Sequence, residues 1–181
     1  MLILPPKKPV NGERSYFQIL CEEASKYVRD VPLDFTGYES LVDAYVASSD
    51  NDNDTNYELS KAFNAWFEYF SEIANVIQNK FLDAETDKLK TVSEKSILHS
   101  EKNVSAGDRK ANTDSEVIVA RKRRNTLKSL YDALVARQDF CEKAFYQCKH
   151  NCLNQMDLPL QNRQQSGGMR NGSAGYYNNQ Q

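Results

Sequence analysis

The sequence contains no run of the roughly 18 uninterrupted apolar residues that a membrane-crossing helix requires, so no membrane partner is expected. Its two histidines and seven glycines leave little material for catalysis. No G-x-S-x-G elbow, phosphate-cradling glycine loop, H-E-x-x-H pair or doubled C-x-x-C occurs, and a non-enzymatic protein without a cofactor is the expectation. The apolar start Met1 to Leu4 has no basic stretch before it and no apolar segment of secretory length after it, which predicts a cytoplasmic location. In that compartment the four cysteines, Cys21, Cys141, Cys148 and Cys152, are expected as free thiols rather than disulfides.

Charge is plentiful but unevenly placed. The formal net charge is −2, yet residues 1–60 carry five basic against eleven acidic side chains, and residues 100–152 carry eleven against seven. An acidic front and a basic back can attract neighbouring copies, or reserve the basic part for a polyanion.

The chain reads as all-α: a long antiparallel helical hairpin with short N-terminal helices and a disordered C-terminal tail. Pro5, Pro6 and Pro9 make the first ten residues an extended lead-in. Ser15 caps a helix whose apolar residues Tyr16, Ile19, Leu20, Ala24, Tyr27 and Val28 recur at helical spacing. Thr36 and Glu39 have capping-box spacing and start a second short helix through Tyr38, Leu41, Val42, Tyr45 and Val46. Residues 1–47 thus form the short-helix region and 48–56 a polar linker. Alternating Asp and Asn in that linker resemble a calcium loop, but Thr55 and Lys61 stand where the glycine and glutamate are needed, so no metal is expected.

The hairpin occupies residues 57–152. Leu59, Phe63, Trp66, Phe70, Ile73 and Ile77 step by four and three alternately, the heptad seam of a coiled-coil-like face and a candidate oligomer interface. The pattern slips near Leu82 but continues without glycine or proline. A helix from Tyr57 to Lys102 would span about 70 Å. Gly107 is expected to make the turn with a positive φ, and Thr113 or Asp114 to cap the return arm. That arm carries Val117, Ala120, Leu127, Leu130, Leu134, Cys141, Phe145, Cys148 and Cys152 on its apolar face. Pro159 is expected to end it, leaving residues 153–181 as a disordered tail rich in Gln, Asn and Gly.

Three constellations carry possible chemistry. Cys148-Lys149-His150-Asn151-Cys152 looks like a metal cluster, but at 100° per residue His150 turns about 200° from Cys148, so the thiols read as core packing. Trp66, Phe67, Tyr69 and Phe70 could stack on unpaired bases; two of them lie on the seam, which favours core or interface, with Tyr69 as the expected exposed member. The sharpest polar signal is Arg121-Lys122-Arg123-Arg124, extended by Arg109, Lys110 and Lys128. Four adjacent cations need a counter-charge, which could be nucleic-acid phosphate or the acidic segment before Tyr57.

The segment Tyr57-Glu58-Leu59-Ser60-Lys61-Ala62, with Trp66, Ile73, Leu82, the charged stretch Asp83 to Lys95 and the turn near Gly107, resembles the recombination-mediator proteins of tailed phages, of the UvsY type. The likeness covers residues 56–152. It implies a homo-oligomeric ring that binds single-stranded DNA and helps a recombinase displace the single-strand-binding protein, in the host cytoplasm. Arg121, Lys122, Arg123 and Arg124 would then contact the DNA backbone. The alternative is a structural or adaptor protein, such as a virion component, whose hairpin acts through protein contacts. The surplus of large aromatics on both seams points to further burial against the N-terminal helices or other subunits.

Overall fold

The computed structural model describes residues 15–50, 52–100 and 104–166, with the backbone alone for Val104 and residues 155–166. The described residues form five helices and no strand, and the two longest pack antiparallel as the expected hairpin.

Helix α1 spans Tyr16–Ser25 and opens with a full capping box. The Ser15 hydroxyl accepts from the Gln18 amide at 3.2 Å, while the Gln18 side chain accepts from the Ser15 amide at 2.9 Å, so two otherwise orphaned donors are paired. The buried face of α1 is Phe17, Leu20, Cys21 and Ala24. The sequence pattern had placed Tyr16 and Ile19 inside; both are exposed, because the face is rotated by one residue to put Phe17 on the Phe35 ring, 4.9 Å between centroids.

Helix α2 spans Tyr38–Ala47, and its start differs from the expected capping box. The Thr36 amide donates to the Asp34 carboxylate at 2.9 Å, and Gly37, at φ +91°, makes the entry to the helix with no side-chain cap.

Helix α3 spans Asn53–His99, within a few residues of the expected arm. The last four residues of the expected linker are therefore helix, and Asp52 caps α3 by accepting from the Thr55 amide at 3.0 Å. Of the turn expected at residues 103–108, Asn103 lies outside the described residues, and Val104 to Asp108 belong to a fourth helix, α4, Val104–Thr113. Gly107 lies inside it without a positive φ, and what it provides is closeness. A Cβ there would fall 2.6 Å from the Ser96 carbonyl oxygen, so α4 can fold back against the end of α3 only with glycine at that point.

Helix α5 spans Ser115–Ser166. The Asp114 carboxylate accepts from the Glu116 amide at 2.9 Å, as expected of a cap. The helix passes Pro159, where the sequence reading had ended it. A proline removes one backbone bond, and a helix already propagated over forty residues absorbs that loss. Residues 167–181 of the expected tail lie outside the described residues.

The core runs between α3 and α5. Phe63, Phe70 and Ile77 from one side and Leu127, Leu130, Leu134, Cys141 and Cys148 from the other are fully buried. The N-terminal helices cover one half of the hairpin. Phe35 stacks on Phe70 at 5.5 Å, Tyr38 meets Trp66 and Phe70, and Tyr45 sits edge-on to Phe63 and Phe140. Part of the aromatic surplus is thus packed within the chain, while Trp66, Phe67, Phe81 and Phe145 remain partly buried.

Candidate nucleic-acid interface

The four adjacent cations lie on α5 near its start, and each points to a different neighbour. Arg124 donates from Nε to the Glu85 carboxylate of α3 and lays its guanidinium 5.3 Å from the Phe81 ring centroid. Arg123 reaches Asp87, also on α3, at 2.9 Å. Lys122 faces Glu23 of α1 at 3.8 Å, and Arg121 donates to the Asn112 side chain of α4. Successive helical side chains diverge by 100°, so a run of four cations around one turn can fasten α5 to three other helices.

The counter-charges come mainly from α3 and not from the acidic segment before Tyr57. Only Glu23 belongs to the acidic segment before Tyr57; Glu85 and Asp87 sit in the charged middle of α3. The signal was present, because folding the chain about residue 105 sets Arg123 and Arg124 opposite residues 85 to 87. Glu85 is held below its ordinary carboxyl range by the hydrogen bond from Lys88, at 2.5 Å, and then by Arg124. Glu23 is held low chiefly by Lys26, with Lys122 a smaller cause.

Exposure divides the cluster. The Arg124 side chain is 27% exposed and Arg123 36%, whereas Lys122 is 66% and Lys128 45%, the last bonded to Asp132 at 2.6 Å. Arg109 and Lys110 are exposed on α4, which the contact between Arg121 and Asn112 brings beside the start of α5. The more exposed cations are therefore Arg109, Lys110 and Lys122, with Lys128 half-exposed, while Arg123 and Arg124 pair with α3.

The proposed oligomer seam needs correction. Phe63, Phe70 and Ile77 are fully buried in the single chain, Leu59 and Ile73 nearly so, and Trp66 is half-buried against Tyr38. A side chain with no exposed surface has none left to bury on a second copy. The seam faces α5, and α2 with the residues before it closes its flank.

Tyr69 is likewise not an exposed stacking platform: it is half-buried and donates its hydroxyl to the Pro32 carbonyl at 3.3 Å. Cys141 and Cys148 point into the core, and Cys152 lies 3.6 Å from the Asn53 carbonyl. Burial pushes the Cys21 and Cys141 thiols up to about 11. His150 is exposed, 2.9 Å from the Asn154 side chain. Among the described residues, no three His, Cys, Asp or Glu side chains converge as metal ligands.

No family model, curated protein or solved structure matches this chain. Its site must be read from its own geometry.

Two further features emerge only in three dimensions. At the far end of the hairpin, Lys95 sits 3.5 Å from Asp114 and 2.9 Å from Glu116, and His99 is 3.5 Å from Asp114. Toward the same end, Ile97 and Leu98 of α3 and Ile118 and Val119 of α5 are more than half exposed. Helices α1 and α2 make no contact with α4 and leave this end uncovered. At the near end, buried Asn151 donates to Asp50 at 2.9 Å and to Asn56 at 3.4 Å, while Asn56 donates to the Ser49 and Asp52 carbonyls. This network ties the segment before α3 to α5.

Proposed function

We propose that the protein is a non-enzymatic assembly element, a structural or adaptor hairpin that works through protein contacts at its far end. The observation that carries this reading is the exposure of Ile97, Leu98, Ile118 and Val119, four large aliphatic side chains near one end of a hairpin that also exposes Leu82 and Leu89 along its length. Each would contribute about 1.5–3 kcal/mol if fully buried against a partner. Light scattering over a wide concentration range tests it. A mass above the 20.7 kDa monomer that reverts in the double variant Leu98→Glu, Ile118→Glu supports self-assembly through this end. A chain that stays monomeric throughout removes self-assembly.

A second reading, single-stranded-DNA binding in a recombination-mediator role, is supported by the exposed cations Arg109, Lys110 and Lys122 and the half-exposed Lys128. Anisotropy with labelled oligo-dT at two salt concentrations tests it. Binding should weaken steeply with salt and vanish in the quadruple glutamate variant of those four residues. Absence of binding at low salt rules it out.

A further inference from the structure

A groove of about 580 Å3 opens between α1, the stretch from Leu33 to Val42, and α5. Its apolar lining includes Phe17, Leu33, Phe35, Val42 and Phe140, the last four of them only partly buried. At its base Arg137 holds its guanidinium 3.5 Å from the Phe17 ring centroid and donates from Nη1 to the Ala133 carbonyl. The outer lining is acidic, with Glu22, Asp34 and Glu39, and Asp34 is engaged by the Thr36 amide. The groove thus combines an apolar floor with a carboxylate rim. It fits a short extended segment that carries aliphatic side chains and, a few residues away, cations.

The chain has such a segment next to the groove. Helix α1 starts at Tyr16, and Phe17 and Gln18 already line the groove, so residues 1–14 join the described chain at its edge. That segment contains Leu2, Ile3 and Leu4, then Lys7 and Lys8, with Arg14 at its end. Pro5, Pro6 and Pro9 fix three φ angles, which lowers the ordering cost of an extended, docked conformation. Fourteen residues reach up to about 45–50 Å when extended, ample to traverse the groove. Tethering raises the effective concentration to the millimolar range.

We propose that residues 1–14 of this chain seat in the groove, with their aliphatic residues on the floor and Lys7 and Lys8 at the carboxylate rim. The seated segment extends the core of α1, α2 and α5 and lies against the groove wall to which Cys21 contributes.

Zero-length carbodiimide cross-linking of the full-length protein, prepared as an equal mixture of 14N and 15N chains, tests this directly. Cross-links of Lys7 or Lys8 to Glu22, Asp34 or Glu39 are expected within chains of one isotope. Mixed-isotope links would place the segment on a second copy, and absence of any such link would leave the groove to another occupant; either result overturns the proposal. A second measurement does not depend on lysine chemistry. In the variant Leu2→Asp, Ile3→Asp, Leu4→Asp, alkylation of Cys21, located by peptide mass spectrometry, should quicken several-fold while that of core Cys141 stays unchanged. Equal Cys21 rates in variant and wild type would also overturn it.

Discussion

The Cβ that Gly107 lacks would lie 2.6 Å from the Ser96 carbonyl oxygen and 3.0 Å from the Ser100 Cα, both backbone atoms that cannot swing away. In an isolated helix Gly→Ala gains about 1 kcal/mol. Here the clash should outweigh that gain, and Gly107→Ala is expected to destabilise by about 1–3 kcal/mol in denaturant titration. A stabilised variant would mean that α4 does not press on α3 at this point. Asn151 gives a second residue-scale expectation. It is 8% exposed and bridges Asp50 and Asn56, so Asn151→Ala takes its donor from the side-chain oxygen of the buried Asn56. The expected loss is about 1–3 kcal/mol. Unchanged unfolding midpoints would show that solvent replaces the lost bonds without cost.

Between elements, the cation cluster separates into fasteners and bystanders. The Arg124 side chain is 27% exposed and also covers the Phe81 ring, whereas Lys122 is two-thirds exposed at 3.8 Å from its partner. Exposed ion pairs contribute little, and a partly shielded pair with an aromatic contact contributes more. Arg124→Ala is therefore expected to lower the melting temperature further than Lys122→Ala; equal shifts would sink this division of roles. The run Arg121 to Arg124 was legible as a signal, but its use was not. A counter-charge lies far off in sequence, and only the register of α3 against α5 selects Glu85 and Asp87.

For the whole molecule, pH dependence follows from groups whose titration differs between folded and unfolded chains. Asp30, Asp34, Asp52, Glu85 and Asp114 are all held below their ordinary values: Asp52 by Thr55, Asp114 first by the Glu116 amide, Asp30 by Lys80, Asp34 by Thr36 and Glu85 by Lys88. A depressed carboxyl contributes stability above its unfolded value and loses it as pH falls through the folded one. Melting temperature should hold down to about pH 4.5 and drop below it. At the alkaline side Cys21 and Cys141, raised to about 11, contribute stability that is complete below their unfolded value near 9 and lost between 9 and 11. Thermal melts across pH 3 to 11 check both limbs. The Cys21→Ala, Cys141→Ala variant should flatten the alkaline one, and an unchanged slope there would remove the thiols from the account.

Local periodicity and end signals were sufficient for the hairpin itself. Heptad spacing through Leu59 to Ile77 and Leu134 to Cys152 selects one face of each helix, and Ser15 and Asp114 mark helix starts by what their side chains accept. These are properties of neighbouring residues, so the sequence determined them alone. Tertiary structure decided the rest. Which face of α1 is buried depends on Phe35 and Arg137; whether Gly107 bends or merely yields space depends on Ser96. Whether Phe63 and Phe70 meet a second copy or their own chain depends on α2 and the residues before it. In each case the deciding partner lies at least ten residues away, where no local pattern reports the distance.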